Sequence, residues 1–423
     1  MTVEVAATLK RCFHKGNFPI NKNWIRHLKV PFILEGEHMI KLFSSESVTE
    51  GHPDKICDQI SDAILDAYLT QDPYSRVACE TAVTTNYVLV FGEITSKGNV
   101  NIEDVVRQTI KSIGYDDESI GFDYQTVHID VRVNEQSPDI AMGVDEKANH
   151  ELGAGDQGMM FGYANKDTES LMPLPIDLSH RLAQRLAHVR KTGVIQGLYP
   201  DGKTQVTVAY EEQKPIYIDH IVLSTQHKES WDQKALRKAL IKEVIEPVLS
   251  DFDTSQTKYL INPTGKFVQG GPNADSGLTG RKIIVDTYGG FAPHGGGAFS
   301  GKDATKVDRS AAYMARFIAK HVIAADLCDV CELEIAYAIG VSEPVSFFVD
   351  CHGTEKVSLK AIAQGILATF DLRPSHIIDV LDLRQPIFSK TSAYGHFGQK
   401  DVPWEKLTQV EKLRQNVYNK IGD

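Results

Sequence analysis

A glycine-rich and charged stretch at residues 295–309, GGGAFSGKDATKVDR, has the composition best suited to chemistry in this sequence. Its run of glycines is followed at short spacing by two lysines, two aspartates and an arginine. Glycine opens backbone N–H groups to close approach by a ligand, and ammonium groups and carboxylates bind phosphate groups and their metal ion. The stretch therefore predicts a site for a polyphosphate and its metal.

The residues that follow predict a long amphipathic helix that would position these groups. Apolar residues recur between Val307 and Val322 at the i, i+4, i+7 and i+8 spacing of a core-facing stripe. On such a helix Lys302, Lys306 and Arg309 would lie on the opposite side. We therefore expect all three cations to face ligand or solvent.

The same stretch fits part of the phosphate-binding P-loop, GxxxxGK, at residues 296–302. Asp303 follows, however, where that motif requires a serine or threonine hydroxyl for magnesium. The nearest upstream strand-like run, Ile283–Asp286, also ends well before Gly296, whereas a P-loop follows its strand directly. We therefore reject the P-loop interpretation.

The sequence GHPDK offers a second candidate anion site. Pro53 suits the first turn of a helix whose apolar stripe begins at Ile56. His52, Asp54 and Lys55 would then lie at a helix N-terminus, where free N–H groups and the helix dipole favour an anion. Taken alone, GHPDK could equally be only a helix cap.

Other polar positions interrupt regular structure farther along the chain. Glu80 and Glu93 lie within two strand-like runs. A carboxylate in such a run is most often on a solvated face, but one that is turned inward would have to bind a cation or a ligand. Residues 136–146 are polar and turn-rich, which is typical of a lid. A glycine-dense turn, GAGDQG, follows and contains Asp156.

Composition excludes several classes of partner. The formal net charge is −11, which argues against nucleic acid and acidic membranes, because basic surfaces bind both. No run approaches the ~18 apolar residues of a membrane span, and the N-terminus lacks a secretory signal. The six scattered cysteines fit reduced thiols. We therefore expect a cytoplasmic protein.

The order of elements predicts an α+β fold. The chain of 423 residues exceeds what one core normally supports. Pairs of strand-like runs alternate with helices at residues 40–134, 152–265 and 275–383, and adjacent strands favour mixed or antiparallel sheets over a doubly wound parallel sheet. Residues 1–38 are basic and aperiodic, so we expect them to form a poorly ordered extension.

GHPDK, GAGDQG and GGGAFSGKD, in this order and spacing, resemble S-adenosylmethionine synthetases (methionine adenosyltransferases) of the bacterial type, over residues 39–404. The resemblance implies three similar mixed-sheet subdomains around a pseudo-threefold axis, at residues 39–138, 150–270 and 271–407, with a tail at 408–423. It also implies that ATP and L-methionine form S-adenosylmethionine, pyrophosphate and phosphate, with two Mg²⁺ per site and K⁺. The expected assembly is a tight dimer with shared active sites, usually paired into a homotetramer.

The resemblance also assigns roles to residues that match the family's motifs. It implies ATP contacts at His52, Asp201, Lys203, Lys266, Phe267, Asp275, Arg281, Lys282, Ala298 and Lys302. It implies methionine contacts at Glu93, Gln136, Asp156, Asp275 and Lys306, with residues 136–146 as a mobile loop. It implies magnesium at Asp54 and Asp308, potassium at Glu80, and a catalytic set of His52, Lys203, Arg281, Lys302 and Lys306.

The residues by themselves leave two alternatives open, a nucleotide-dependent phosphotransferase and a non-catalytic nucleotide-binding module. A triphosphate that leaves from carbon must be stabilised as a whole, which requires metals and several cations together. The basic residues near the glycine-rich turns fit this requirement. Release of pyrophosphate and phosphate that depends on methionine would separate all three functions.

Overall fold

The computed structural model describes residues 32–35, 38–135 and 152–420, with side chains from Ile40 onward within these ranges. Its strands are β1 (Phe32–Glu35), β2 (His38–Val48), β3 (Arg76–Thr84), β4 (Tyr87–Thr95), β5 (His128–Asn134), β6 (Gly158–Asn165), β7 (Leu198–Glu211), β8 (Lys214–His227), β9 (Lys258–Ile261), β10 (Gly277–Leu278), β11 (Val330–Tyr337) and β12 (Ser346–Asp350). Its main helices are α1 (Pro53–Gln71), α2 (Ile102–Ile113), α3 (Leu174–Lys191), α4 (Gln233–Leu240), α5 (Ile283–Asp286), α6 (Val307–Ala324), α7 (Leu359–Thr369), α8 (Pro374–Val380) and α9 (Val410–Asn419). A π-helical turn, Ile241–Ile245, and a short turn, Glu246–Val248, extend α4.

Three sheets, each covered on one face by a long helix, confirm the predicted α+β class. The first has strand order β1-β2-β7-β8-β9 and packs against α3. The second has order β10-β3-β4-β5 and packs against α1. Both are mixed, because β8–β9 and β4–β5 pair in parallel while their other neighbours are antiparallel.

The third sheet has order β12-β11-β6, is antiparallel throughout these strands, and packs against α6. Gly162 of β6 makes this packing possible. A Cβ atom at Gly162 would lie 2.2 Å from the carbonyl oxygen of Ala315 in α6. Any side chain there would push the helix away from the sheet.

The sheets exchange strands between distant parts of the chain. Strand β2 pairs with β7, β10 pairs with β3, and β6 pairs with β11. Each sheet therefore includes a strand that lies far in sequence from its other members. This exchange ties the chain together, because each sheet is completed by a strand from another part of the chain.

An aromatic cluster anchors the glycine-rich stretch in the core. Phe299 is 3% exposed, and its ring makes edge contacts with Tyr313 of α6 at 5.5 Å and with Phe397 at 5.9 Å. Such edge-to-face pairs stabilise beyond the area that they bury, by about 0.5–1.5 kcal/mol each. The stretch is thus held at its middle, while its glycines and lysines lie nearer the surface.

Two sequence-based expectations are wrong in detail. Ile283–Asp286 is helical rather than a strand, because buried Asp286 is held by the ammonium group of Lys55 and this contact overrides the β propensity of the apolar run. Arg309 does not face outward; it is fully buried against Asp62 of α1. Strand β1 pairs with β2 through its backbone, and the expectation of a poorly ordered extension at residues 1–38 stays a prediction, since most of that segment lies outside the described residues.

No helix in residues 38–135 and 152–420 combines the length and hydropathy that a membrane crossing needs.

Candidate active site

His52 caps the N-terminus of α1, as GHPDK predicts. Its Nδ1 atom accepts the backbone N–H of Asp54 at 3.1 Å, which leaves the imidazole proton on Nε2. Burial, reinforced by the positive charges of Lys282 and Lys203, lowers the pKa of His52 to about 3. The side chain is therefore a neutral hydrogen-bond donor at pH 7.

Asp54 joins this helix N-terminus to the first basic loop, residues 277–282. Its Oδ2 atom accepts the ammonium group of Lys282 at 2.6 Å, and its Oδ1 accepts the N–H of Leu278 at 3.1 Å. The guanidinium Nε of Arg281 lies 3.2 Å from the same carboxylate. Burial acts to raise the pKa of Asp54, but the hydrogen bond and charge of Lys282 outweigh it, so the pKa is lowered and the carboxylate stays ionised.

A buried carboxyl group on β7, that of Asp201, lies near Lys203, whose charge also acts on His52. Asp201 accepts the N–H of Gly271 at 2.9 Å through Oδ2, whereas its buried Oδ1 has no partner among the described residues. Burial raises the pKa of Asp201 to about 6. Lys203 lies two residues farther along β7 with its side chain exposed, and Asp275 is close enough to influence Asp201 electrostatically. An unpartnered buried oxygen is well placed to receive a ligand N–H or O–H group.

The basic-aromatic pair Lys266 and Phe267 follows β9. The backbone of Phe267 exchanges hydrogen bonds with His227, accepting its N–H at 2.9 Å and donating to its Nε2 at 3.2 Å. The Lys266 ammonium pairs with Glu229 at the surface, at 3.1 Å. Phe267 is thus fixed by its backbone, while Lys266 points to solvent rather than to the carboxylates described above.

The second basic loop, residues 295–303, carries the other group of charges. Lys302 donates to Asp308 at 2.5 Å, and Lys306 donates to Asp303 at 2.6 Å. Gly297 packs directly on the Asp308 carboxylate, where an added Cβ would lie 2.3 Å from Oδ1. The missing side chain therefore lets the Asp308 carboxylate pack against the backbone of the loop at the first turn of α6.

The GAGDQG turn lies beside this loop. An added Cβ on Gly155 would lie 2.9 Å from the carbonyl oxygen of Thr305, and one on Gly158 would lie 3.5 Å from Asp308 Oδ1. Asp156 is in the same turn and accepts the N–H of Gln157 at 2.7 Å. The structure therefore brings two of the three signature motifs together at the start of α6.

The two basic loops are attached to one edge of β3 at different points. Leu278 pairs with Ala82 of β3, whereas Lys302 bridges to Ala78. At ~3.3 Å per residue these points are about 13 Å apart. The loops meet between them, since a Cβ on Gly280 would lie 2.5 Å from that of Ala298. The predicted residues of one chain thus form a continuous row rather than one closed pocket.

Glu80 and Glu93 lie on the outward face of the second sheet, which we define as the face opposite α1. The register pairs Glu80 with Phe91, and Glu93 with Ala78, the residue that also bridges to Lys302. Both glutamates are exposed. They therefore lie on a solvated face, the first of the two positions expected from the sequence, and near the second basic loop. Gln136 and the expected loop at 136–146 lie outside the described residues.

The carboxylates fit Mg²⁺ only as single ligands. The described residues contain no group of three histidine, cysteine or acidic side chains that could enclose a metal. Asp54 and Asp308 each face a lysine instead. Mg²⁺ commonly binds through one or two carboxylates together with substrate phosphates and water, so this donor set fits a metal that arrives with a polyphosphate.

Sequence reasoning missed two buried aspartates next to the site, Asp58 and Asp62. Both are 0% exposed, and their carboxylates accept N–H groups of Gly280 and Gly301 in the two basic loops. The signal was present, because aspartates recur every four residues along α1. A buried face with charges at that spacing needs a partner for each charge.

Comparison with known proteins gives consistent matches along the chain. Models of the N-terminal, central and C-terminal domains of S-adenosylmethionine synthetase match residues 40–138, 151–267 and 269–406. The S-adenosylmethionine synthase of Desulforudis audaxviator (strain MP104C) is 55% identical over 88% of this chain and 98% of its own length. That of Clostridium tetani (strain Massachusetts / E88) is 56% identical over 90% of this chain and 100% of its own length.

Proposed function

The chain belongs to the S-adenosylmethionine synthetase family, and from this premise we propose that it is a methionine adenosyltransferase. It joins ATP and L-methionine to form S-adenosylmethionine, with release of pyrophosphate and phosphate. The observation that carries this proposal is the helix N-terminus with His52, Asp54 and the two cations of the first basic loop. The phosphotransferase and the non-catalytic nucleotide-binding module are not favoured, because both relatives carry the synthase name over nearly their whole length.

The chemical step needs no general base. A methionine thioether has no proton to lose, so its sulfur attacks C5′ of ATP directly while the bond to the triphosphate breaks. The protein must align these atoms and stabilise the charge of the departing triphosphate. The neutral His52 donates its Nε2–H to a phosphate oxygen, and Lys203, Arg281, Lys302 and Lys306 act as fixed cations.

Further contacts complete the substrate sites in this proposal. ATP is bound also by Lys282, Asp201, Lys266, Phe267 and Ala298, and methionine by Glu93, Gln136, Asp156, Asp275 and Lys306. Asp54 and Asp308 hold Mg²⁺ together with phosphate oxygens, and Glu80 holds K⁺. When bound, these ions neutralise part of the triphosphate charge.

We propose a dimer with shared sites, paired into a homotetramer, in the cytoplasm. Within the described residues, each sheet has one face without a long helix, and Lys203, Glu80 and Glu93 lie on such faces. Exposed apolar side chains such as Met159 and Phe348 lie on the same kind of face of the third sheet. The two basic loops are attached to β3 at points about 13 Å apart, so one chain presents a row of residues rather than a closed pocket. This also supports a site that a second chain completes. Within each chain, we propose subdomains at 39–138, 150–270 and 271–407.

The decisive experiment follows product formation by the purified protein with ATP, Mg²⁺ and K⁺, with and without L-methionine. We expect S-adenosylmethionine, pyrophosphate and phosphate in equal amounts, and only when methionine is present. Phosphate transfer to a hydroxyl acceptor without adenosylation would indicate a phosphotransferase. Nucleotide binding without any product would indicate a binding module.

A further inference from the structure

Helix α1 carries an aspartate ladder, defined as Asp54, Asp58, Asp62 and Asp66. The spacing of four residues places all four carboxylates on one side of the helix. Each carboxylate accepts a backbone N–H group from a segment far away in sequence. The donors, in order, are Leu278, Gly280, Gly301, and the adjacent pair Phe388 and Ser389.

Asp58 is the member of this ladder that meets the first basic loop at its turn. Its Oδ1 atom accepts the N–H of Gly280 at 2.8 Å, and the side chain is fully buried. The Lys55 ammonium pairs with Oδ2 at 3.0 Å, with both side chains buried, and it also donates to Asp286 and to the carbonyl of Ser392. Asp58 therefore holds the loop through Oδ1 and the buried Lys55 ammonium through Oδ2.

Gly280 is the point at which a small displacement would move the cations most. Its φ of +79° is in the left-handed region, and Arg281 and Lys282 follow it directly. Its Cα also packs against Ala298 of the second basic loop. Fixing the N–H of Gly280 therefore fixes both the direction of the two cations and the contact between the loops.

We propose that Asp58 is a positioning residue for the transfer reaction. It touches no substrate; it holds Gly280 so that Arg281 and Lys282 keep preset positions around Asp54, where the triphosphate binds. A donor or cation that is already in place costs no reorganisation when charge develops. The proposal rests on the proposed function for the identity of the anion, a polyphosphate.

The ladder itself supplies a matched control. Asp66 is 8% exposed and accepts the N–H groups of Phe388 and Ser389 at 3.0 and 2.8 Å. Its bonds from backbone N–H groups match the bond that Asp58 accepts from Gly280, although Asp58 also pairs with Lys55. None of the residues assigned to the site lies in the segment that Asp66 holds. The change in stability on loss of Asp66 therefore measures the structural cost of removing one carboxylate of the aspartate ladder.

The experiment compares Asp58→Ala, Asp58→Asn and Asp66→Ala in the full-length protein. The probe is inorganic tripolyphosphate with Mg²⁺, titrated by calorimetry, alongside KM for ATP, kcat and the melting temperature. We expect Asp58→Ala to weaken tripolyphosphate binding by about tenfold, the scale of one lost buried hydrogen bond, and to raise KM by a similar factor. Asp58→Asn should stay within about threefold of wild type, because its amide oxygen still accepts the Gly280 N–H.

Asp66→Ala should lower the melting temperature, but by less than Asp58→Ala, which also removes a buried counter-ion of Lys55, and it should leave tripolyphosphate binding unchanged. Equal binding by Asp58→Ala and Asp66→Ala would overturn the proposal, as would an Asp58→Asn variant as weak as Asp58→Ala. If Asp58→Ala does not fold, Asp58→Leu, which keeps the volume and removes the acceptor, replaces it with the same criteria. A wild-type protein that binds tripolyphosphate but forms no S-adenosylmethionine would refute the proposed function alone.

Discussion

At the scale of single residues, the protonation state of His52 decides which role this side chain can have. Burial and two nearby lysines hold its pKa at about 3, and its Nδ1 is occupied by the Asp54 N–H. Only the Nε2–H is then available to a ligand. A neutral donor can stabilise a developing charge, but it cannot act as a cation or as a base through Nδ1.

The first prediction concerns this donor. His52→Asn retains a donor group, so it should keep about tenfold more of the adenosylation rate than His52→Ala, which retains none. The wild-type rate of that step should show no ionisation of His52 between pH 6 and 9. Single-turnover formation of S-adenosylmethionine, followed apart from later hydrolysis of triphosphate, measures both. Equal loss in the two variants, together with one ionisation near neutral pH that they remove, would identify His52 as an acid or base.

The second prediction concerns the metal ligand proposed at the start of α6. Asp308→Asn should lower kcat by roughly 10²–10³, the scale of one lost charge-stabilising group. The melting temperature should change little, because Lys302, the partner of Asp308, is 27% exposed and can be solvated. Asp326→Asn, on the surface beside Lys166, is the control for loss of one charge. An unfolded Asp308→Asn protein would show that the carboxylate is structural.

At the scale of elements, α1 and α6 are joined by a buried ion pair that the sequence did not reveal. The Arg309 guanidinium donates to both oxygens of Asp62 at 2.7 and 2.8 Å, and both side chains are 0% exposed. The guanidinium also lies 4.1 Å from the ring centroid of Phe388. The same carboxylate accepts the Gly301 N–H, so this pair connects both helices to the second basic loop.

The third prediction follows from this burial. Asp62→Ala leaves Arg309 charged and without its counter-ion inside the core, so it should lower the free energy of unfolding by about 3–5 kcal/mol. Asp326→Ala removes a carboxylate from exposed ion pairs with Lys166 and Lys356, and it should leave stability nearly unchanged. Urea unfolding of the two variants gives the comparison. Similar small effects for both would mean that water reaches Arg309.

At the scale of the whole molecule, the proposed assembly would use the sheet faces that no long helix covers among the described residues. In the second sheet, Ala82, Leu89 and Asp130 lie side by side on the face opposite α1. The two glutamates proposed to bind K⁺ and methionine share that face. If a second chain covers it, assembly and activity depend on the same surface.

The fourth prediction tests this dependence. Leu89→Arg should dissociate the dimer and abolish activity, because it places a long charged side chain in the proposed interface. Leu367→Arg places the same charge on α7, where Leu367 is already 53% exposed, and should change neither property. Sedimentation velocity and activity at matched concentration measure the outcome. A fully active Leu89→Arg dimer would exclude this face from the interface.

The fifth prediction concerns stability in acid. His180 of α3 shares a hydrogen bond with Ser47 of β2 at 2.8 Å, and burial, with the charge of Lys55, lowers its pKa to about 3. The unfolded chain binds a proton near pH 6.5 and the native state does not, so stability is full above pH 6.5 and is lost as pH falls toward 3.

The loss amounts to about 1.4 kcal/mol for each pH unit. Between pH 7 and 5 the wild-type free energy of unfolding should therefore fall by about 2 kcal/mol more than that of His180→Asn. Urea titrations at the two pH values measure this difference, in which other titrating groups cancel. Parallel losses in the two proteins would mean that His180 is protonated in the native state.

The sequence by itself determined the local elements and the family. Apolar periodicity predicted the long helix that the structure shows at Val307–Ala324, and three glycine-rich or helix-capping motifs pointed to phosphate chemistry. These signals are local, because periodicity reports which face of an element is buried and a motif reports its own turn. Neither states what covers the face, and so Arg309 and Ile283–Asp286 were misassigned.

Only the tertiary structure decided which segments meet. Asp62 and Arg309 are 247 residues apart, and Asp58 and Gly280 are 222 residues apart, yet each pair is in hydrogen-bond contact. Such contacts depend on the exchange of strands between the sheets, which no single segment encodes. A buried charge must find a partner to offset its desolvation, and the partner that it finds is fixed by the packing of the whole chain.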